Sequence, residues 1–267
     1  MKENLKILIK EKSDKGILRL IMNNLDQKNA LSENMMSILM DEIKGASSDQ
    51  SIKVIVIAAK GNVFCSGHNL KEITAAREND DSGEAYFKNL FDACSSLMQL
   101  IVSIPQPVIA EVDGVATAAG CQLVASCDLA IASHESKFAT PGVNLGLFCS
   151  TPMVALSRNV NKKNAMEMLL TGDFINADRA KEIGLINNTV LKEELTLEVD
   201  KLAEKIASKS KMTVSTGKKA FYAQVEMGLS EAYKYTSKTM TDNLLKSDAK
   251  EGINAFLEKR SPDWKDK

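Results

Sequence analysis

"IKVIVIAAKGNVFCSGHNLKE" (residues 52–72) runs from an unbroken β-branched stretch, across Lys-Gly-Asn and a brief apolar step, into a corner of small residues and an acidic helix start. A run of this kind is what a strand buried on both faces of a sheet requires. The theme returns in "PVIAEVDG" (107–114), which reads as a strand, and "AAGCQL" (118–123), which opens a short helix near Ala118 after another set of small residues. Two strand-to-helix corners of the same make thus stand in one chain that shows no internal sequence repeat.

Working outward, "LKILIKEKSDKGILRLIM" (5–22) alternates apolar and polar residues around Ser-Asp-Lys-Gly, which predicts a β-hairpin. "LSENMMSILMDEIKGA" (31–46) sets Met35, Met36, Leu39, Met40 and Ile43 at helical spacing behind Ser32 as N-cap. "YFKNLFDACSSLMQLIVSI" (86–104) reads as a helix and "DLAIAS" (128–133) as a third strand, while "ARENDDSGEA" (76–85) reads as a mobile polar surface loop. Strand and helix alternating in this rhythm predict an α/β core with helices outside stacked sheets. After about residue 151 the composition turns almost wholly helical. The stripe Leu195, Val199, Leu202 and Ile206 there belongs to the core or to a subunit interface.

The 267 residues suit one main core with an appendage, and 44% hydrophobic with 26% charged residues is ordinary globular composition. A net charge of −1 gives no global attraction to nucleic acid or anionic membrane. The basic clusters "NKKNAM" (161–166) and "STGKKAF" (215–221) read as solvated helix faces. Five cysteines without a C-x-x-C pair predict reduced thiols, and His68 and His134 alone are too few imidazoles for a zinc site. The N-terminus is too charged for a signal-peptide core, and no apolar run approaches 18 residues. The expectation is a cytoplasmic protein without membrane insertion.

A helix start preceded by small residues exposes unpaired N–H groups at the positive end of the helix dipole. Two such corners facing one point would bind charge developing on a carbonyl oxygen. The bland alternative is that both are tight corners where small residues pack.

Taken in order, "KNALS" (28–32), the stretch from Ile52 to Ile73, "IPQPVIAEVDGVATAAGCQLVASCDLAIAS" (104–133), "KFATPGVNLGL" (137–147), "AMEMLLTGDFINADRAKEIGLIN" (165–187) and "EGINAFLEKRSPDW" (251–264) resemble the successive motifs of the crotonase, or enoyl-CoA hydratase/isomerase, superfamily over essentially the whole chain. The resemblance implies an α/β spiral of β-β-α units (the crotonase, ClpP-like fold) over residues 1–195. It implies a helical oligomerisation region over 196–267 that makes trimers, often paired into hexamers. The implied ligand is an acyl-CoA or enoyl-CoA thioester, with no permanently bound cofactor and no metal. Backbone N–H groups of His68 and Ala119 would hold the thioester oxygen, with Gly120 beside them. Gln27, Lys28, Ala30, Ser66, His68, Asn69, Leu70 and Lys71 would line the coenzyme A path, and Phe256 and Lys259 would reach a neighbouring subunit's coenzyme A. Ala119, where many relatives have Gly, is acceptable if its φ is negative and helical.

Hydratases of this superfamily flank a water with two glutamates, and the matching positions here hold Gln122 and Gly142. Gln cannot exchange a proton near neutral pH and Gly has no side chain. Each lost general acid or base is worth roughly 10²–10⁴ in rate, so ordinary hydration is not expected. Chemistry through an enolate or tetrahedral oxyanion stays open: isomerisation, thioester hydrolysis or weak hydration. The alternative is a catalytically inactive acyl-CoA sensor or regulatory oligomer. His68 is the candidate base, or it merely packs against coenzyme A or a loop. Asn144, Cys149 and Ser150 sit on a stretch that approaches the acyl group in relatives; Cys149 or Ser150 as nucleophile would need a nearby base, and as core or capping residues they need none. Glu72 and Asp113 read as a dipole partner and a turn residue, Cys65 and Cys121 as small buried hydrophobes, His134 as surface and Asp128 as structural.

Overall fold

The chain steps from a large sheet into a small one and turns through a helix or helical turn, three times in succession. The computed structural model describes residues 7–267, so the first two residues of the expected 5–22 hairpin lie outside the described residues. The rest forms as expected: β1 (Leu8–Lys12) and β2 (Ile17–Met22) pair antiparallel, Leu8 opposite Met22. α1 (Glu33–Ser48) starts at Ser32, whose hydroxyl accepts the Met35 N–H at 3.2 Å, and buries Met35, Met36, Leu39 and Ile43.

The first repeat is β3 (Val54–Ala59), β4 (Val63–Cys65), α2 (Leu70–Ala76) and α3 (Glu84–Ser103). The second is β5 (Val108–Val112), β6 (Val115–Thr117) and α4 (Ala119–Ser126). The third is β7 (Leu129–Ser133), β8 (Lys137–Ala139), a 3-10 turn over Pro141–Leu145 and α5 (Pro152–Asn159). The step from β5 to β6 depends on Gly114: at φ +81° a side chain is disfavoured, and a Cβ would stand 2.1 Å from the Asn62 carbonyl oxygen.

Next come α6 (Lys162–Thr171), β9 (Ile175–Asn176), α7 (Ala177–Glu182) and β10 (Asn188–Val190). The region after 151 is therefore not purely helical. Strands of two and three residues are too short to show alternation, and the ladders of β8 and β7 hold them in place. The large sheet has the order β1-β2-β3-β5-β7-β10, parallel from β2 onward, and the small sheet the order β4-β6-β8-β9.

α8 (Leu195–Ala207) lies on the face of the large sheet opposite α1 and α3, burying Leu195, Val199 and Ala203 against Val54, Val56, Ile109 and Ile131. Its stripe is thus core. Arg19 on β2 pairs with Glu111 on β5 and, at 2.5 Å, with Asp200 on α8; Thr196 donates to Glu111 at 2.7 Å. Within the 76–85 stretch, residues 77–83 form the turn between α2 and α3, where Asp81 accepts the N–H groups of Gly83 and Ala85, both at 2.9 Å, and so caps α3.

α9 (Lys211–Gln224), α10 (Leu229–Leu244) and α11 (Ser247–Leu257) follow. Lys162 and Lys163 are solvated, but Lys218 is buried, contrary to its reading as part of a solvated face. Its ammonium donates to the carbonyls of Ile101 (2.8 Å) and Gln106 (2.9 Å) and to Asp128 (2.6 Å). Asp128 also accepts the Val108 N–H at 2.7 Å and the Tyr222 hydroxyl at 2.9 Å. One buried ammonium thus ties α9 to the end of α3 and to the starts of β5 and β7. Removing one partner of a buried, hydrogen-bonded pair typically costs about 3–5 kcal/mol, because the other charge stays behind unpaired. Lys218→Met should lose stability of that order in denaturant unfolding, and Lys218→Met with Asp128→Leu should recover part of it; a loss below about 1 kcal/mol in the single variant would disprove the pin.

Candidate functional site

β4, β6 and β8 are parallel neighbours, so their C-terminal ends open on one edge of the small sheet. Ligands of open α/β sheets gather at such ends. From the three strands emerge, in turn, the 66–69 corner, the Ala118–Gln122 corner and the Pro141–Leu145 turn.

The first two corners touch through backbone. Gly67 has φ +91°, and a Cβ there would stand 2.9 Å from Ala118 Cβ, 3.2 Å from the Thr117 carbonyl oxygen and 3.4 Å from the Ala119 nitrogen. Gly120 is closer still: its Cβ would lie 2.2 Å from the Cys65 carbonyl oxygen. Ala119 is the first residue of α4, and the positive φ falls one residue earlier, on Ala118 (φ +51°, ψ −119°). Such a conformation costs a non-glycine residue about 1–3 kcal/mol. It is held by the Ala118 N–H to the Ala139 carbonyl at 2.9 Å and the Gln122 N–H to the Ala118 carbonyl at 3.0 Å. Ala118 has no side-chain acceptor for the helix that follows, so the first N–H groups of α4 stay uncapped at its positive end.

His68 sits against residue 31 in an isolated bridge, the Leu31 N–H donating to the Gly67 carbonyl at 2.8 Å. Its imidazole Nδ1 lies 3.3 Å from the Leu31 carbonyl oxygen, and its ring meets Phe91 edge-on at 5.5 Å. Nε2 is buried without a hydrogen-bond partner. Burial pushes the imidazole pKa below its ordinary 6.5, against weaker opposing pulls from the Leu31 carbonyl and Glu72.

Gln122 is buried in α4, with Oε1 3.7 Å from the Cys94 thiol. Gly142 is boxed in: a Cβ would meet the Leu147 carbonyl oxygen at 2.7 Å and Cys149 Sγ at 2.8 Å. Burial raises the Cys149 thiol above its usual range, with a weaker backbone hydrogen bond from Gly142 acting the other way. Cys65, Cys94 and Cys121 are each pushed up to about 12, chiefly by burial, so all four thiols are protonated at neutral pH. Ser150 is exposed and donates to the Phe148 carbonyl at 3.3 Å, and Asn144 is exposed. Among the described residues no hydrogen bond joins His68 to Cys149 or Ser150.

Of the residues expected along a coenzyme A path, those around 27–30 and 66–69 lie together. The Ser66 N–H donates to the Lys28 carbonyl at 3.2 Å, Asn69 Nδ2 reaches Gln27 Oε1 at 3.4 Å, and Ala30 is buried beside them. Asn69 also caps α2 by accepting the Lys71 N–H at 3.0 Å, while Leu70 and Lys71 face solvent. Phe256 and Lys259 lie apart, at the exposed end of α11. Asn29, inside the Gln27–Ala30 segment expected on that path, has a structural task the sequence reading did not give it: it is buried at φ +52°, donates to the carbonyls of Lys60 (2.9 Å) and Val63 (2.7 Å), and accepts the Asn24 N–H at 2.8 Å. An Asn's tolerance of the left-handed region was the available signal. Glu72 serves more than its own helix: it accepts from Asn69 (3.0 Å), the Tyr86 hydroxyl (3.3 Å) and the first N–H of α1 (3.3 Å). Asp113 anchors its turn by accepting from Ser133 (2.9 Å) and pairing with Lys192 (2.7 Å), and His134 is exposed.

The chain matches the family described as enoyl-CoA hydratase/isomerase over residues 12–267. It is 51% identical over 249 residues to enoyl-CoA hydratase domain-containing protein 3, mitochondrial, of Xenopus laevis, covering 93% of this chain and 83% of that protein. The crystal structure of human enoyl-CoA hydratase domain-containing protein 3 superposes with a TM-score of 0.92 at 47% identity, covering 97% of this chain and all of that one. An enoyl-CoA hydratase structure from Mycobacterium smegmatis gives a TM-score of 0.92 at 44% identity, covering 97% and 98%. These likenesses correct one expectation, the cytoplasmic setting. The Xenopus laevis relative and its rat, mouse and human counterparts are named as mitochondrial, and reduced thiols fit that compartment as well as the cytosol. No helix among the described residues is long and apolar enough to cross a membrane. A two-sheet α/β fold of repeated β-β-α units, small-residue corners at its strand ends and a match over nearly the whole length make this chain a member of the enoyl-CoA hydratase/isomerase family.

Proposed function

We propose that this chain binds an acyl-CoA or enoyl-CoA thioester and polarises its carbonyl between the N–H groups of His68 and Ala119. The observation that carries the reading is the abutment of the two corners, where a Gly67 Cβ would stand 3.4 Å from the Ala119 nitrogen and α4 begins uncapped. Donors fixed in place beforehand need no reorganisation as charge develops on the oxygen. Gln27, Lys28, Ala30, Ser66, Asn69, Leu70 and Lys71 supply the coenzyme A path. Phe256 and Lys259 complete it from a neighbouring copy in a trimer or a dimer of trimers. The apolar surface on α10 and α11, with Leu245 81%, Phe256 82% and Leu257 72% exposed, supports assembly through the 196–267 region.

Hydration is not the chemistry of this site, since neither Gln122 nor Gly142 can move a proton. That favours one second reading, an acyl-CoA sensor that binds without turnover. Acyl-CoA thioesters should raise the melting temperature well above the effect of free coenzyme A, because only the thioester offers a carbonyl to the two donors; ligand at 100 times its dissociation constant stabilises by about 2.7 kcal/mol. Crotonyl-CoA should bind without gaining water. No stabilisation by any thioester would refute the reading, and mass-resolved products in the same samples separate enzyme from sensor.

The crowding at Gly142 sets a further expectation. Gln122→Glu should fold, whereas Gly142→Glu must displace the 147–149 backbone. Even Gly142→Ala should cost about 1–3 kcal/mol by denaturant unfolding. The double glutamate variant should therefore gain no hydratase activity. A neutral Gly142→Ala would show that the segment yields.

A further inference from the structure

We propose that the His68 imidazole is a general base, taking an α-proton from the bound thioester at Nε2. The inference rests on the thioester reading above and extends it to a reaction.

A carbonyl oxygen can only accept, so the 3.3 Å contact between Nδ1 and the Leu31 oxygen puts the ring proton on Nδ1 and leaves Nε2 as a lone-pair acceptor. That atom is buried and partnerless, an arrangement that costs about 1–3 kcal/mol unless a ligand supplies a donor. It belongs to the same residue whose N–H is proposed to hold the thioester oxygen, so base and oxyanion donor are carried by one corner. The other proton acceptors at the corners are committed or protonated. Glu72 is taken up by three donors, and the thiols of Cys65, Cys94, Cys121 and Cys149 are raised by burial.

The step balances without a further reactant. The α C–H bond breaks and its proton passes to Nε2; its electron pair forms a C–C double bond, and the carbonyl π pair moves onto the thioester oxygen, facing the two N–H groups. Return of a proton to the same carbon restores the thioester, so in deuterium oxide the net event is exchange. The facing groups fix the sign of the pH dependence. α2 contributes Glu72, the entry to α1 contributes the Leu31 carbonyl, and α3 contributes the apolar Phe91. Burial outweighs the first two and holds the imidazole neutral at pH 7. Exchange should be near its plateau there and fall as pH drops through a value below 6.5.

The test is deuterium uptake at the α-carbon of butyryl-CoA in deuterium oxide, read by mass spectrometry, with thermal shift on the same samples. Wild-type protein should exchange. His68→Ala, which keeps the backbone N–H, should exchange at least about 10²-fold more slowly while butyryl-CoA still stabilises it. His68→Gln, which can still donate to Leu31 but cannot take a proton, should behave alike and serves if the alanine variant does not fold. Undiminished exchange in either variant, or a wild-type rate that does not fall at low pH, overturns the assignment. Stabilisation of the wild type without exchange overturns it and leaves the thioester reading standing. Absence of stabilisation overturns both.

Discussion

The site depends on one close approach, the backbone of α4 against the end of β4. A Cβ at Gly120 would come within 2.2 Å of the Cys65 carbonyl oxygen, and one at Gly67 within 2.9 Å of Ala118 Cβ. The clash at Gly120 is with main chain, and at Gly67 an alanine Cβ with no rotamer to change adds to a φ of +91° that already disfavours a side chain. The parallel register of β4, β6 and β8 then brings the three strand ends level. The strained Ala118 is the cost of turning the chain into a helix immediately after β6, and the ladder bond to Ala139 holds it there.

Electrostatics follow from the same geometry. Four buried thiols, a neutral Gln122 and a bare Gly142 leave little formal charge near the corners, and the Glu72 carboxylate is held by hydrogen bonds from Asn69 and Tyr86. A carboxylate close to a developing oxyanion would repel it by several kcal/mol at the effective dielectric of about 20 that suits such sites. On the thioester reading, the uncapped start of α4 faces such a charge with no carboxylate added at Gln122 or Gly142. On that reading the site lacks carboxyl groups for hydration and keeps N–H donors for a negative oxygen.

Much of this was legible in the residues. β-branched runs such as Val54–Ile57 and the Ser32-capped stripe of α1 follow from period and capping, because burial selects residue type directly. Proximity is another matter. Gly67 and Gly120 are both visible as small residues, but their contact with each other's strands comes from sheet order, which local pattern does not encode. β9 and β10 were hidden because ladders, not alternation, define them. Lys218 was misjudged since a lysine in a basic cluster looks solvated, and only Asp128, ninety positions away, makes its burial tolerable. The structural task of Asn29 was hidden for a similar reason: the carbonyls it donates to, on Lys60 and Val63, lie more than thirty positions along the chain.

The two functions assigned to His68 place opposite demands on one residue, and the fold separates them by atom. Its backbone must stay fixed in the corner, which the bridge to residue 31 ensures independently of the side chain. Its ring must keep Nε2 unprotonated, which the Leu31 carbonyl enforces by holding the proton on Nδ1 and which burial reinforces by disfavouring the imidazolium. The same burial that keeps the base free also limits its strength, since a lowered pKa weakens the driving force for taking a proton. Compensation has to come from the acceptor end of the reaction, where each N–H that meets the oxyanion makes the α-proton easier to remove. In the proposed reaction base and corner are therefore matched, a weak base sufficing only where the corner backbone is held by its close contacts.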